Sequence, residues 1–291
     1  MNVQTLTVML ALLIAAISAP AGGEEKAEAD QGPLTMVVMD PLAAPLSCPC
    51  VEGYAQRKYE ALGEHLESQL GRPVKVVFNE ALGKALAGDA KGQADLVVGK
   101  DSVVRADAKA AELNLTAVGR LTDKKGSVLQ HGLIVVPAKD PAKAVADLQG
   151  YDIIFGPAES DEKHKAAIEV LTKAGVKVPD ELSIDSACSE GAAKVVDRGP
   201  GGKSAAVISS YAAPLLEGCG TIEKGDLRVL AKTEPVPFVT AFVNDELPAE
   251  TQAELQLALF SMANKPELCT ALESLVGFLP VAAEDDSAKK K

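Results

Sequence analysis

Residues 54–78 read YAQRKYEALGEHLESQLGRPVKVVF, and this stretch decides the fold class. Apolar side chains recur three or four positions apart along it, which predicts an amphipathic helix over Tyr54–Leu70. Gly71 is a typical helix terminator, and a proline follows two residues later. The next run, Val74–Phe78, is short and rich in β-branched residues, which is typical of a strand.

The same alternation of short strands and longer helices continues on both sides of this unit, and it predicts α/β sheets rather than a sandwich or a helical bundle. Asp95–Gly99 is a nearly continuous apolar run, as expected for a buried parallel strand. Further strands are predicted at Leu34–Met39, His131–Val136, Asp152–Phe155, Leu182–Ile184, Ala205–Ile208, Leu227–Leu230 and Phe238–Val243. Further helices are predicted at Pro141–Leu148, through Ile168 and Leu171 to about Gly175, and at Pro248–Met262. The two halves of the chain predict two separate sheets.

The composition is that of a globular protein with an acidic surface. The chain has 291 residues, of which 47% are hydrophobic and 24% charged, enough to form one large or two medium cores. Its formal net charge of -12 argues against nucleic acid and anionic membranes as partners, because the summed field repels polyanions. A small anion can still bind through local dipoles.

The N-terminal residues have the pattern of an export signal. The apolar run Leu6–Ile17 is too short for a comfortable membrane span and is followed by small residues, which predicts a signal peptide over 1–21. An uncleaved anchor is the alternative. The mature protein is therefore expected to be soluble and periplasmic, or otherwise exported. Residues 22–32 and 282–291 are predicted to be a disordered linker and a disordered charged tail.

Several short stretches stand in a characteristic order between Leu34 and Leu279. They are Leu62–Val74, Asp95–Gly99, Leu133–Asp140, Val145–Gly150, Phe155–Gly156 and Leu227–Pro237. In the order and spacing of these stretches the chain resembles the phosphonate-binding family of periplasmic solute-binding proteins, which feed ABC transporters.

This resemblance implies the α/β fold of a two-lobed type II periplasmic binding protein, in which each lobe is a mainly parallel sheet flanked by helices. It implies two crossovers between the lobes, so that lobe 1 comprises 33–129 and 238–281 and lobe 2 comprises 130–237. The ligand is then expected in the cleft between the lobes. The protein is expected to be a monomer without enzymatic activity, and an ABC permease is its expected partner.

The resemblance also places the ligand-side loops, and several of them depart from the family pattern. A Ser/Thr-rich run is expected after Asp152–Phe155, but here Ser160 alone keeps a matching hydroxyl among acidic residues. Lys100 stands near the place of an expected aromatic residue. The other residues assigned to the ligand site are Cys188, Ser189, Ser209, Ser210 and Tyr211. These departures predict that the ligand differs from a typical phosphonate.

Two of the five cysteines, Cys48 and Cys50, flank a proline in the loop after the first strand. Pro49 favours an extended backbone, which places both sulfurs on one side, where they can meet one metal ion. Cys50 is expected at or just before the helix start, where free N–H groups favour a thiolate. By the resemblance, Cys188 faces this loop from the other lobe. Cu(I), or less selectively Zn(II), would suit such a site, and His131 or His164 could complete it.

The remaining cysteine interpretations are structural. One alternative pairs Cys48 or Cys50 with Cys188 in a disulfide, which would oppose hinge motion. A disulfide between Cys219 and Cys269 is predicted as an ordinary structural bridge near the C-terminal part of the fold. Because five is an odd number, at least one thiol is expected to be unpaired, or engaged between molecules or with a ligand.

Three functions therefore stand as hypotheses. The first is a solute-binding protein whose ligand is a thiophilic metal or its complex, bound through Cys48 and Cys50. The alternative retains a phosphonate- or phosphate-type oxyanion, held by backbone N–H groups and by serines 160, 189, 209 and 210. A periplasmic thiol-disulfide oxidoreductase ranks lower, because a Cys-x-Cys ring is tight and a Cys-x-x-Cys motif is missing from the sequence.

Overall fold

The computed structural model of the chain describes residues 32–47, 51–53 and 55–281. Within these ranges, no helix is long and apolar enough to cross a membrane. Several predictions lie outside the described residues, namely the signal peptide (1–21), nearly all of the linker (22–31), the tail (282–291) and the pair Cys48 and Cys50.

Strands and helices alternate along the described chain. The strands are β1 (Leu34–Met39), β2 (Val74–Phe78), β3 (Leu96–Lys100), β4 (Leu115–Leu121), β5 (Leu129–Gln130), β6 (Gly132–Pro137), β7 (Asp152–Phe155), β8 (Ser183–Ile184), β9 (Ser204–Ser209), β10 (Leu227–Lys232), β11 (Val236–Pro237), β12 (Val239–Asn244) and β13 (Phe278–Pro280). The α-helices are α1 (Tyr59–Leu70), α2 (Leu82–Ala87), α3 (Asp101–Ala110), α4 (Lys165–Lys173), α5 (Cys188–Arg198), α6 (Ala212–Gly218), α7 (Ala249–Ser261) and α8 (Pro266–Ala271). Short 3₁₀ turns lie at Val145–Leu148 and Met262–Asn264.

The first lobe is built on a six-stranded sheet with the order β13-β4-β12-β3-β1-β2. All residues of β1 are buried, because both of its faces are covered. Leu34, Met36 and Val38 enter one apolar core, while Val37 and Met39 enter a second core on the opposite face. This alternation follows from the two-residue period of a strand.

Helix α1 packs closely on this sheet through residues that recur at helical spacing. Its buried residues are Tyr59, Leu62, Gly63 and Leu66. Gly63 permits the close approach, because a Cβ there would lie 2.5 Å from a methyl group of Val76. The helix ends at a glycine in the left-handed conformation, as its sequence predicts.

The second lobe is built on a five-stranded sheet with the order β10-β6-β9-β7-β8. Successive residues of β6 again serve two cores: Ile134 and Val136 pack on one face, and Leu133 and Val135 on the other. Each lobe is therefore a sheet between two apolar layers, which confirms the two-lobed α/β architecture.

The strand pairing is mixed rather than mainly parallel. In the first sheet β1 pairs in parallel with β2 and β3, but β12 runs antiparallel to both β3 and β4. In the second sheet β7 is parallel to β8 and β9, whereas β6 is antiparallel to β9 and β10. The antiparallel strands β6 and β12 are those that the chain enters from the other sheet. A strand that a helix connects to the preceding strand of the same sheet runs parallel to that strand. β6 and β12 are not connected in this way, and so they can run antiparallel to their neighbours.

The two connections between the sheets are hydrogen-bonded to each other. Strand β5 precedes the entry into the second sheet, and β11 precedes the return to the first. They pair antiparallel, with Gln130 opposite Val236 and Leu129 opposite Pro237. This short two-stranded sheet is the hinge between the lobes.

Helix α1 begins at Tyr59 rather than at Tyr54. The preceding residues are held in a different conformation, because the Arg57 N–H donates to Leu42 O at 2.7 Å and the Ala44 N–H donates to Arg57 O at 2.9 Å. The predicted effect of the helix N-terminus on the Cys50 thiol lies outside the described residues and stays a prediction.

Candidate functional site

A cavity of about 510 Å³ lies between the two lobes, at the ends of strands from both sheets. This is where ligands bind in open α/β folds, and the volume falls within the range of about 300–1,000 Å³ that is usual for ligand pockets. Its apolar wall includes Met39, Leu42, Leu46, Val103, Leu215 and Leu216. Its polar wall includes Lys100, Ser160, Lys163, Ser186, Cys188 and Ser189.

A buried ion pair joins the lobes beside this cavity. Lys100 ends β3 in the first lobe, and its Nζ lies 2.7 Å from Oε1 of Glu162 in the second lobe. The Ser209 hydroxyl donates to the same oxygen at 2.6 Å. Both charged side chains are almost inaccessible, at 6% and 0% exposure. Burial lowers the pKa of Lys100 from its ordinary value, while the attraction to Glu162 partly offsets that shift.

A second contact ties the lobes together next to the ion pair. The Ser102 hydroxyl, in the first turn of α3, donates to the carbonyl oxygen of Glu159 at 2.7 Å. The Ser102 hydroxyl oxygen in turn accepts from the Asp161 N–H at 3.3 Å. The loop after β7 is therefore held against α3, and the lobes are closed on each other.

A glycine allows Glu162 to reach its position. A Cβ at Gly132, the first residue of β6, would lie 2.0 Å from the carbonyl oxygen of Glu162. That separation is far inside van der Waals contact, so no other residue permits this approach without movement of the backbone.

Lys163, the next residue, brings a second ammonium group to the cleft. It is 5% exposed, and its Nζ donates to the Ser186 carbonyl at 3.1 Å. Its stem crosses Gly156, where a Cβ would lie 2.6 Å from both Cβ and Cε of the lysine. Among the described residues, no carboxylate forms an ion pair with Lys163.

The N-terminus of α5 lies beside Lys163 and also lines the cavity. Ala187 occupies the N-cap position and provides no side-chain hydrogen bond to the first turn. The N–H groups of that turn and the helix dipole favour negative charge. Together with Lys163 and the hydroxyl of Ser189, this end of the cavity is suited to an anion.

An aromatic and charged cluster closes the side of the cleft near the hinge. The Tyr211 ring, in the cavity wall, stacks on Phe238 with centroids 4.6 Å apart, and the Arg57 guanidinium lies 5.3 Å from the Phe238 centroid. Asp40 accepts hydrogen bonds from Arg57 at 2.8 Å and from the Tyr59 hydroxyl at 2.6 Å.

Tyr211 is kept neutral by its surroundings. Burial raises its pKa well above the ordinary value of 10.0, and electrostatic interactions with Cys188, Glu162 and Asp40 act in the same direction. Its hydroxyl is thus a neutral group in the cavity wall at physiological pH.

The predicted ligand residues divide into two groups. Lys100, Ser160, Cys188, Ser189 and Tyr211 line the cavity. Two predicted serines are engaged elsewhere. Ser209 donates to Glu162, and the Ser210 hydroxyl accepts the backbone N–H of His131 at 3.1 Å.

The predicted metal ligands do not assemble in the part of the chain that is described. Nδ1 of His131 lies 2.8 Å from Thr233 O, and Nδ1 of His164 lies 2.8 Å from Gly156 O. Cys188 contacts Ser209, whose N–H donates to its sulfur at 3.4 Å. Across the described ranges, no cluster of three or more histidine, cysteine or acidic side chains could hold a metal ion. A site formed by Cys48 and Cys50 stays a prediction, since both lie outside these ranges.

The predicted Cys219–Cys269 disulfide is wrong for this structure, in which no disulfide joins these two sulfurs. Cys219 caps α6 in the second lobe, and its sulfur contacts Thr221 Oγ1 at 3.0 Å. Cys269 is buried in α8 of the first lobe, and its thiol donates to Met262 O. The two cysteines lie in different lobes, and the spacing of cysteines in the sequence does not reveal this.

Sequence reasoning missed the roles of Glu162 and Lys163. The acidic character of the loop after β7 was visible, but the partner of Glu162 lies 62 residues away in the other lobe. Lys163 gave no signal of its own, because one lysine in a charged loop is usually solvated.

The comparisons with known proteins agree with this geometry. Residues 53–288 match the family described as the periplasmic substrate-binding protein of phosphonate ABC transporters. No curated protein matches the sequence significantly.

Solved structures with the same fold cover most of the chain. XAC2383 of Xanthomonas citri, bound to chloride, has 14% identity and a TM-score of 0.65, covering 88% of this chain and 94% of its own. A binding protein of an ABC phosphonate transporter from Pseudomonas aeruginosa has 14% identity and a TM-score of 0.64, covering 88% and 83%. PhnD1 of Prochlorococcus marinus, in complex with methylphosphonate, has 13% identity and a TM-score of 0.63, covering 87% and 93%. At these identities the likeness concerns the fold.

Proposed function

Since the chain belongs to the family of periplasmic substrate-binding proteins of phosphonate ABC transporters, we propose that it binds a small solute bearing an oxyanion in the cavity between its lobes. The bound solute is then presented to an ABC permease. This is the oxyanion alternative drawn from the sequence, and it has better support than a thiophilic metal as ligand.

The observation that carries the proposal is Lys163. This ammonium group is 5% exposed, and its one partner among the described residues is a backbone carbonyl. It therefore carries a large desolvation cost until an anion joins it. The adjacent start of α5 supplies N–H groups, and Ser189 supplies a hydroxyl, so an oxyanion would receive several donors at once.

Part of the cavity lining is apolar, which supports a ligand with an organic substituent. Met39, Leu42 and Val103 are among the apolar residues that line it. Two solved relatives of similar fold were determined with organic oxyanions: PhnD1 of Prochlorococcus marinus with methylphosphonate and the alkanesulfonate-binding protein SsuA of Xanthomonas axonopodis with MOPS. Such ligands combine a charged group with an apolar one.

Calorimetric titration of the purified mature protein with alkylphosphonates, alkylsulfonates and inorganic phosphate tests the proposal. We expect saturable binding of at least one of these anions, and we expect Lys163→Met to weaken it about ten- to a hundred-fold, the value of a charge-assisted hydrogen bond. Lys165→Met is the matched control, because Lys165 is exposed two residues away.

Two outcomes would count against the proposal: no binding of any of these anions to the wild-type protein, or undiminished binding to the Lys163→Met variant. Elemental analysis of protein purified without chelators addresses the separate metal hypothesis. One equivalent of copper or zinc that disappears in a Cys48→Ser, Cys50→Ser variant would revive it.

We also propose that the protein acts in the periplasm after removal of residues 1–21. The family supports this location, and N-terminal sequencing of the secreted protein tests it. A mature chain that begins at Met1 would contradict it.

A further inference from the structure

The charged side chains that are buried around the cleft do not balance. Asp40 and Arg57 form one closed pair at 2.8 Å, and Lys100 and Glu162 form another at 2.7 Å. Asp101, which follows Lys100 and is also buried, pairs with the partly exposed Arg105 at 2.9 Å. Lys163 is a further buried charge, and no carboxylate of the described residues pairs with it. Four cations thus face three anions, which leaves a single positive charge.

The rim of the cavity does not add to this positive charge. Glu80, Lys84 and Glu159 line the cavity and are exposed. Two acids and one lysine give the rim a net negative charge, although solvent screens it.

Glu162 is the residue that prevents Lys100 from serving an incoming anion. Its Oε1 already accepts from Lys100 and from Ser209. A ligand that formed an ion pair with Lys100 in place of Glu162 would leave this wholly buried carboxylate without a counter-ion, which is strongly unfavourable. The carboxylate of the protein therefore occupies the donors that a second negative charge on the ligand would need.

We infer that the cleft selects a singly charged oxyanion with an apolar substituent, and that Glu162 is the residue that determines this preference. The inference rests on the proposed function and names the class of its ligand. A monoanion neutralises Lys163 and completes the charge balance. A dianion would leave one excess negative charge in a site with little access to water.

Three ligands with one alkyl chain separate charge from shape. Butylphosphonate is doubly charged above its second ionisation, whereas its monomethyl ester and butanesulfonate are singly charged at the same pH. We expect both monoanions to bind the wild-type protein at least about ten-fold more tightly than the dianion in calorimetric titrations at that pH, because a like charge in a poorly solvated site costs at least this much.

Variants of the ion pair then test the charge balance itself. Glu162→Gln leaves two unpaired buried cations, and we expect the preference to shift by about ten-fold or more towards the dianion. The double variant Lys100→Met, Glu162→Gln again leaves only Lys163, and we expect the preference for monoanions to return. Glu169→Gln, at an exposed position of α4, should leave the wild-type preference unchanged.

The outcomes separate this inference from the proposed function. If none of the three ligands binds the wild-type protein, the proposed function fails. If all bind and the dianion binds as tightly as the monoanions, the inference fails while the proposed function stands. This comparison uses the wild-type protein alone. It therefore tests the inference even in the case that Glu162→Gln does not fold. A double variant that prefers the dianion as strongly as Glu162→Gln does would also overturn the inference.

Discussion

The buried pair between Lys100 and Glu162 predicts that the ligand-free protein is closed and that Lys100→Met opens it. In the closed structure, methionine would leave the Glu162 carboxylate, with 0% exposure, without its counter-ion. Opening the lobes returns that carboxylate to water. The free-energy cost of the substitution therefore falls mainly on closure and much less on folding.

The magnitude follows from measurements on other buried pairs. Removing one partner of such a pair costs about 3–5 kcal/mol, because a charge stays buried without compensation. Since about 1.4 kcal/mol corresponds to a factor of ten, the ratio of closed to open protein should fall by roughly a hundred- to a few-thousand-fold. A population that is almost wholly closed would become mostly open.

Small-angle X-ray scattering of the ligand-free protein measures this change as an increase in radius of gyration. Lys109→Met, at an exposed position on α3, is the control for the loss of a lysine and should scatter like the wild type. The double variant Lys100→Met, Glu162→Gln leaves no unpaired charge in the pair and should recover most of the compactness. A Lys100→Met protein as compact as the wild type would refute the reasoning, as would a double variant that is as open as the single one.

Two other predictions concern stability. The pKa of Tyr211 is raised by burial, so the folded state keeps its phenol protonated where the unfolded state ionises. The contribution of the protonated phenol to the free energy of unfolding is complete below pH 10.0. It is lost as the pH rises from there towards the pKa of Tyr211 in the folded state. Urea titrations should therefore show that Tyr211→Phe loses less unfolding free energy than the wild type above pH 10.0, and equal losses would contradict the assignment. Gly132→Ala places a Cβ 2.0 Å from the Glu162 carbonyl, and we expect it to destabilise the protein by about 1–3 kcal/mol. Gly83→Ala, with nothing within 4 Å of the new Cβ, is the control and should be neutral or stabilising.

The apolar strands were the part of the fold most readily predicted from sequence. β1, β2 and β7 have the predicted bounds. β1 is a buried strand with a nearly unbroken apolar run, whereas β2 lies at the sheet edge and is marked by its three valines. Helix α3 was missed, since its buried residues are only Asp101, Val104 and Ala108, too narrow a stripe for periodicity to reveal. Strand β4 was missed because it contains Gly119 and Arg120, residue types that strand propensity disfavours or ranks low.

The candidate site was predictable in place but not in detail. The resemblance to a known family located the cleft, and Lys100, Cys188 and Tyr211 do line it. The pairing of Lys100 with Glu162 could not be predicted, because it joins residues of two lobes and depends on their closure. The pairing also depends on Gly132, whose missing side chain lets Glu162 approach. A glycine in a sequence does not indicate which residue will approach it.

The pairing of β5 with β11 has a consequence for how the protein moves. Because Gln130 is bonded opposite Val236, and Leu129 opposite Pro237, neither connection can change its backbone angles alone. We therefore expect the lobes to move relative to each other mainly by rotation about one common axis. A single distance between two labels, one on each lobe, therefore suffices to report the conformational state, and ligands of different strength should differ only in the position they select along that coordinate.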